Sequence, residues 1–150
     1  MIIPDMNLLI YAYTEGAPHH KAARLWWERL LNGQEPVGIP WSVMYAFVRL
    51  MTSARVLESP IGMSEALGIV DSWLKRPQVM PLSPGTRHVE LFFGFLRSSG
   101  GSSNLTVTAA IAAIATEHKA TIHSCDKDFL RFPGLSVVNP LKQQALAADQ

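Results

Sequence analysis

The chain has 150 residues, 48% of them hydrophobic, and a formal net charge of +1, so it can form one domain with a sizeable buried core. The small net charge argues against a broad basic surface for nucleic acid, so any such contact must be local. Because Cys125 is the only cysteine, a disulfide framework and a thiolate zinc site are both excluded.

The N-terminus lacks the basic segment and long apolar segment of a signal peptide. No apolar run in the sequence reaches the roughly 18 residues needed to span a bilayer. We therefore expect a soluble cytoplasmic protein with no membrane contact. It is expected to form a single domain over residues 1–150, with residues 143–150 as a frayed tail.

The first half of the chain alternates short apolar runs with helical patterns. In chain order, the pattern predicts a strand over residues 1–4, a helix over 8–13, an amphipathic helix over 19–31, a strand over 37–39 and a helix from Trp41 to Thr52 that follows Pro40. That last helix has almost no polar face. Either it is a central core helix, buried on all sides, or a partner covers part of its surface.

The second half continues the alternation and includes one flexible loop, residues 98–103. The predicted elements are a helix over residues 64–75, a strand at 79–80, a helix capped by Ser83-Pro84 that reaches Arg97, a helix over 104–118, a strand over 121–123, a helical turn over 127–130 and a strand over 135–138. Strands that alternate with helices predict an α/β three-layer domain. Its central, mostly parallel sheet would have four or five short strands, with helices on both faces.

Carboxylates follow two of the predicted strands. Asp5 ends the first strand, while Asp126 and Asp128 follow the strand over residues 121–123. Ligands of open α/β sheets collect at the carboxyl ends of the strands, so the three carboxylates converge if these strands are neighbours. Such carboxylates repel one another unless a cation lies between them, and an oxygen-only ligand set suits Mg²⁺ or Mn²⁺. A common task of such a site is in-line attack on a phosphodiester.

Each of these residues also has a simpler explanation. Asp5 and Asp126 could serve only as helix caps. Asn7 could hydrogen-bond Asp5 or a metal-bound water, or it could be another cap residue. Three basic residues are candidates for RNA phosphate contacts, with ordinary solvated charges as the alternative: Arg49, Lys127 and Arg131.

The residues resemble the PIN-domain ribonucleases, in particular the VapC toxins of bacterial toxin–antitoxin pairs. The resemblance covers nearly the whole chain and is carried by Asp5-x-Asn7-Leu-Leu-Ile-Tyr-Ala12, Pro40-Trp41, Ala46-Phe47-Val48-Arg49, Asn104-Leu105, Ala112-Ala113-Ile114-Ala115-x-Glu117-His118, Asp126-x-Asp128-Phe129-x-x-Phe132-Pro133-Gly134-Leu135 and Val138-Asn139-Pro140. No single piece is specific, but the combination is.

The resemblance implies a PIN-like three-layer fold, acidic residues at strand ends that hold Mg²⁺ or Mn²⁺, and endonucleolytic cleavage of RNA. It also implies a homodimer and inhibition by a cognate antitoxin whose C-terminal segment lies along the helices near the active cleft. The over-apolar helix from Trp41 to Thr52 fits that partner role. An aspartyl-phosphate phosphatase would also begin with a strand that ends in aspartate, but that class needs a second aspartate where Asn7 stands.

Two positions depart from the family pattern. Ala46 stands where many PIN domains carry a glutamate, and Thr108 stands where the family has an aspartate about four residues past Asn104. A threonine hydroxyl is a weak, neutral ligand, so the pattern predicts weakened metal binding and activity. The alternative function is therefore a catalytically impaired PIN-fold protein that binds RNA or an antitoxin.

Overall fold

The computed structural model describes residues 1–142, so the expected frayed tail, residues 143–150, lies outside the described residues. Strands and helices alternate as the hydrophobic pattern predicts. In chain order they are β1 (Ile2–Pro4), α1 (Met6–Tyr13), α2 (His20–Asn32), β2 (Val37–Pro40), α3 (Trp41–Met51), α4 (Met63–Leu74), β3 (Val79–Leu82), α5 (His88–Ser98), α6 (Thr106–His118), β4 (Thr121–His123) and β5 (Ser136–Val138), with 3-10 turns at Ser103–Leu105 and Lys127–Arg131. No helix within residues 1–142 is long and apolar enough to cross a membrane.

The strands form one parallel sheet in the order β3-β2-β1-β4-β5. The chain builds outward from β1 through β2 to β3, then crosses to the other side of β1 for β4 and β5. Because such crossovers are right-handed, α1 to α4 cover one face of the sheet and α5 and α6 cover the other. The predicted α/β three-layer fold is thus confirmed. The strand order reverses between β1 and β4, and open α/β sheets bind ligands at the carboxyl ends of the strands at such a point.

Aromatic side chains fix the helices that cover the first face. The hydroxyl of Tyr13 on α1 accepts hydrogen bonds from the indole nitrogens of Trp27 and Trp73, at 3.3 and 2.8 Å. Both indoles are buried, so these bonds satisfy donors that would otherwise lie unpaired in the core. Helices α1, α2 and α4 are therefore tied to one another, which fixes the direction in which α1 leaves the sheet edge.

Small residues let the helices of the second face pack closely. Ala109, Ala112 and Ala113 of α6 are buried against Phe95 of α5 and Phe132, whose rings lie 5.2 Å apart between centroids. This second cluster anchors the segment after β4, because Phe132 follows directly on the 3-10 turn at Lys127–Arg131.

Helix α3 corrects one prediction from the sequence. It is not buried on all sides: Val43, Met44 and Phe47 face the core, whereas Trp41 is 39% and Tyr45 67% exposed. The explanation as a central core helix is wrong, because only one side of α3 packs against α1 and α4. The other explanation, that a partner covers part of this helix, stays a prediction.

Helix α5 also begins later than the sequence predicts. Ser83-Pro84 does not cap it, since the helix begins at His88. The backbone N–H of Gly85 instead donates to Oε1 of Glu117 on α6, at 3.0 Å. This tertiary hydrogen bond holds the segment between β3 and α5 outside the helix.

Candidate active site

Asp5 lies at the carboxyl end of β1, where the strand order reverses. It has an extended backbone and caps α1, since its Oδ1 accepts from the backbone N–H of Met6 at 2.8 Å. Its own N–H donates to the carbonyl of His123 on β4, at 2.9 Å. The side chain is only 6% exposed. The capping role considered from the sequence is therefore real, but it uses one of the two carboxylate oxygens.

Ser124 links Asp5 to the segment that follows β4. Its hydroxyl donates to Oδ2 of Asp5 at 2.6 Å and accepts from the backbone N–H of Asp126 at 2.9 Å. The backbone N–H of Ser124 donates to the carbonyl of Val138 on β5, at 3.0 Å. One buried hydroxyl therefore sets the position of Asp5 relative to Asp126 at the edge shared by β1, β4 and β5.

The surroundings of Asp5 favour a cation next to its carboxylate. Burial raises the pKa of Asp5, the hydrogen bonds from Ser124 and the Met6 N–H lower it, and the nearby charge of Asp126 raises it again. Within residues 1–142, no basic side chain forms an ion pair with Asp5. A buried carboxylate next to a second carboxylate is stabilised in its charged form by a cation.

Asp126 caps the 3-10 turn after β4, and Asp128 lies within that turn. Oδ1 of Asp126 accepts from the backbone N–H of Asp128 at 2.9 Å, which is the other cap considered from the sequence. Oδ1 of Asp128 lies 3.6 Å from Nε of Arg131. Across the part of the chain that the structure describes, no three side chains of His, Cys, Asp or Glu are grouped closely enough to hold a metal ion together. The structure thus joins Asp5 and Asp126 and pairs Asp128 with Arg131, and a shared three-carboxylate site stays a prediction.

The remaining candidates lie on three helices and on the turn after β4. Asn7 is exposed in the first turn of α1, and Thr108 is half-buried in the first turns of α6. Lys127 is exposed next to Asp126. Arg49 is exposed in the last turn of α3, about 12 Å along the helix from its start by the 1.5 Å rise per residue. Since α3 begins directly after the carboxyl end of β2, Arg49 lies near the other end of that helix, away from this edge.

Comparison with known proteins decides the family. Residues 2–135 match the family model described as PIN domain. Ribonuclease VapC33 of Mycobacterium tuberculosis is 41% identical over 143 residues, which covers 95% of this chain and 100% of that protein. The chain belongs to the PIN-domain family of VapC ribonucleases.

Solved structures agree with this assignment at the level of the fold. The VapBC-1 structure from nontypeable Haemophilus influenzae has a TM-score of 0.68 and 15% sequence identity, and the match covers 93% of this chain and 98% of that one. VapBC2 from Rickettsia felis, bound to a DNA fragment from its promoter, has a TM-score of 0.66 and 18% identity, over 92% of this chain and 98% of that one.

Ser124 of this PIN domain is the residue that sequence reasoning missed. It lies between two stronger signals, the strand over residues 121–123 and the carboxylates after it. The available signal was its spacing, since a serine two residues before Asp126 can accept a hydrogen bond from that backbone N–H in a local turn. Its second bond, to Asp5, depends on the pairing of β1 with β4.

Proposed function

We propose that this protein is a Mg²⁺- or Mn²⁺-dependent endoribonuclease and the toxin of a toxin–antitoxin pair. The observation that carries the proposal is the buried Asp5 carboxylate at the point where the strand order reverses, linked through Ser124 to Asp126. The curated relatives are named ribonucleases, which supports RNA as the substrate.

The donor set at this edge fits a hard divalent cation. Asp5 and Asp126 offer carboxylate oxygens, and the charge of Asp5 is both desolvated and close to a second negative charge. These two residues would hold the ion, together with Asp128 as the third predicted ligand. When bound, the ion would supply the positive charge that activates water and stabilises the leaving oxygen of the phosphodiester.

The protein's own residues orient the substrate and hold the ligands in place. The hydrogen bonds from Met6 and Ser124 fix both oxygens of Asp5, so its orientation does not depend on the ion. The Ser124 hydroxyl also fixes the Asp126 backbone. Five further residues keep the roles expected from the sequence: Asn7 and Thr108 as supporting groups, and Arg49, Lys127 and Arg131 as phosphate contacts.

The partner proposed for the exposed side of α3 is the cognate antitoxin. Trp41 and Tyr45 lie side by side there, with ring centroids 5.9 Å apart, and form an aromatic patch on the surface. Exposed aromatic residues of this kind often anchor protein interfaces. Similarity to the solved VapBC structures supports a toxin–antitoxin assembly, and the homodimer and the cytoplasmic location stay predictions.

The threonine at position 108 favours a catalytically impaired protein, whereas the curated relatives are named ribonucleases, which favours an active enzyme. The decisive measurement is cleavage of an end-labelled structured RNA in Mg²⁺ or Mn²⁺ by the wild type and by Asp5→Asn. We expect metal-dependent cleavage by the wild type that EDTA stops, and none by the variant. Equal behaviour of the two proteins would overturn the proposal.

A further inference from the structure

A small pocket opens beside Asp126, between the carboxyl ends of β4 and β5. Its volume is about 130 Å³, and its lining includes Asp126, Lys127, Leu130, Asn139 and Lys142. Pockets that enclose whole small molecules measure roughly 300–1,000 Å³. This one is therefore suited to a single polar group of a larger ligand.

The amide of Asn139, which lines the pocket, accepts two hydrogen bonds through its oxygen. Its Oδ1 accepts from the backbone N–H of Leu141 at 3.1 Å and from the thiol of Cys125 at 3.5 Å. Since the backbone N–H of Leu141 can only donate, the amide oxygen of Asn139 must face it, and this fixes the orientation of the amide. Over residues 1–142, the Nδ2 group of Asn139 has no hydrogen-bond partner, so its two N–H donors are available.

Two lysines make the same pocket positive. Lys127 and Lys142 both line it and are exposed, and neither forms an ion pair with a carboxylate in the part of the chain that the structure describes. Asp126 is the acidic residue of the lining, and its carboxylate belongs to the candidate metal site. Ammonium groups and amide N–H groups are donors that bind phosphate oxygens, and they disfavour a second cation.

We propose that this pocket binds a backbone phosphate of the RNA, next to the phosphodiester that is cleaved. The inference rests on the proposed endoribonuclease function, since the pocket and the metal site share Asp126. Lys127, Lys142 and the Asn139 amide hold the phosphate, and the exposed Leu130, at 72%, gives the adjoining ribose an apolar surface. The RNA strand then runs from the metal site across the end of β4 towards β5.

The test measures RNA binding separately from cleavage. Binding of a fluorescein-labelled 12-nucleotide single-stranded RNA is followed by anisotropy in EDTA, with Asp5→Asn as the background so that no strand is cut. The variants are Lys127→Gln with Lys142→Gln, and Asn139→Asp, which keeps the acceptor for Leu141 and replaces the amide donors by a carboxylate oxygen. Lys75→Gln is the matched control, since Lys75 is exposed at the C-terminal cap of α4, and α4 contacts the opposite edge strand, β3.

We expect about tenfold weaker binding for each lost lysine at low salt, because charge-assisted hydrogen bonds to phosphate are lost. The slope of log affinity against log salt should fall by about 0.7 for each phosphate contact that disappears. Asn139→Asp should weaken binding without lowering the thermal midpoint, while Lys75→Gln should bind as the background protein does.

The proposal is overturned if the pocket variants bind RNA as tightly as Lys75→Gln. It is also overturned if they weaken only the complex with an antitoxin, because the pocket would then bind a polypeptide. Failure of the proposed function has a different signature: the wild type would not cleave RNA in Mg²⁺ or Mn²⁺, whatever the binding variants show.

Discussion

The hydroxyl of Ser124 donates a 2.6 Å hydrogen bond to Oδ2 of Asp5, which joins two residues 119 positions apart in the chain. The same hydroxyl accepts from the backbone N–H of Asp126, so both halves of the candidate site depend on one buried oxygen. The hydrogen bond from Ser124 also lowers the pKa of Asp5 against the larger effect of burial.

Removal of this hydroxyl tests its role as a positioning group. Ser124→Ala leaves the Asp126 N–H and one Asp5 oxygen without their partner, so we expect a loss of about 1–3 kcal/mol in the free energy of unfolding. The pKa of Asp5 should rise further, which moves the acid limb of the pH–rate profile for RNA cleavage to higher pH. Ser124→Thr retains a hydroxyl and should restore the profile. A profile for Ser124→Ala that matches the wild type would contradict the role.

Replacement of Asp5 by asparagine should stabilise the metal-free protein. The pKa of Asp5 is raised in the folded state, so ionisation costs stability as the pH rises from the unfolded pKa through the folded one. Above the raised pKa that cost is fully present, and Asp5→Asn removes it while asparagine still caps α1. We expect a gain on the order of 1 kcal/mol in urea unfolding with EDTA. This gain in stability should become smaller as the pH falls below the raised pKa of Asp5, because the wild-type carboxyl is then neutral.

Two observations complete this experiment. Added Mn²⁺ should raise the thermal midpoint of the wild type more than that of Asp5→Asn, because the variant lacks the buried carboxylate among the predicted ligands. Asp71→Asn, at an exposed ion pair with Lys75, is the control and should show no metal-free gain. If Asp5→Asn is no more stable than the wild type in EDTA, the charge of Asp5 does not destabilise the metal-free fold.

An aspartate at position 108 should strengthen the site. Thr108 lies half-buried on α6, at the position where the family resemblance predicts a carboxylate ligand, and Thr108→Asp adds a charged oxygen donor. We expect Mn²⁺ affinity, measured by calorimetry, to rise at least about tenfold, with faster RNA cleavage. Val107→Asp adds the same charge to the same turn at an exposed position and should change neither. Equal results for the two variants would show that Thr108 does not face the metal.

The aromatic patch of Trp41 and Tyr45 should matter for the antitoxin and not for the fold. Tyr45→Ala removes a largely exposed ring, so the thermal midpoint should change little. If the ring anchors the partner, the antitoxin should dissociate at least about tenfold more readily in surface plasmon resonance. Phe93→Ala, which removes an exposed ring on α5, is the matched control. Equal affinities for both variants would place the antitoxin elsewhere.

His123 should make stability depend on pH. Burial lowers its pKa, although the charge of Glu35 acts in the opposite direction, and its Nδ1 accepts from the indole nitrogen of Trp26 at 2.9 Å. The unfolded chain therefore binds a proton more readily, so stability falls as the pH falls from about 6.5 towards the folded pKa. Urea unfolding from pH 7.5 to 5 should show this loss, and His123→Gln should reduce it. A pH dependence of stability that is the same for His123→Gln and the wild type would contradict this role of His123.

Local sequence determined most of the architecture of this protein. The alternation of apolar runs and helical patterns placed the strands, and carboxylates that follow β1 and β4 marked the edge of interest. These features follow from short-range physics, since hydrophobic period and turn residues act over a few positions. The same short-range signals predict Asp5 and Asp126 both as candidate site residues and as caps.

Contacts between residues that are far apart in the chain depend on the tertiary structure, and no short-range pattern predicts them. The adjacency of β1 and β4 brings Ser124 to Asp5, and the contact between Glu117 and Gly85 delays the start of α5. The exposed side of α3 depends on which neighbours cover it, because its composition alone predicts burial on every side. The carboxylates that end two distant strands thus form one candidate site only through the pairing of the sheet, which a pattern of a few residues does not specify.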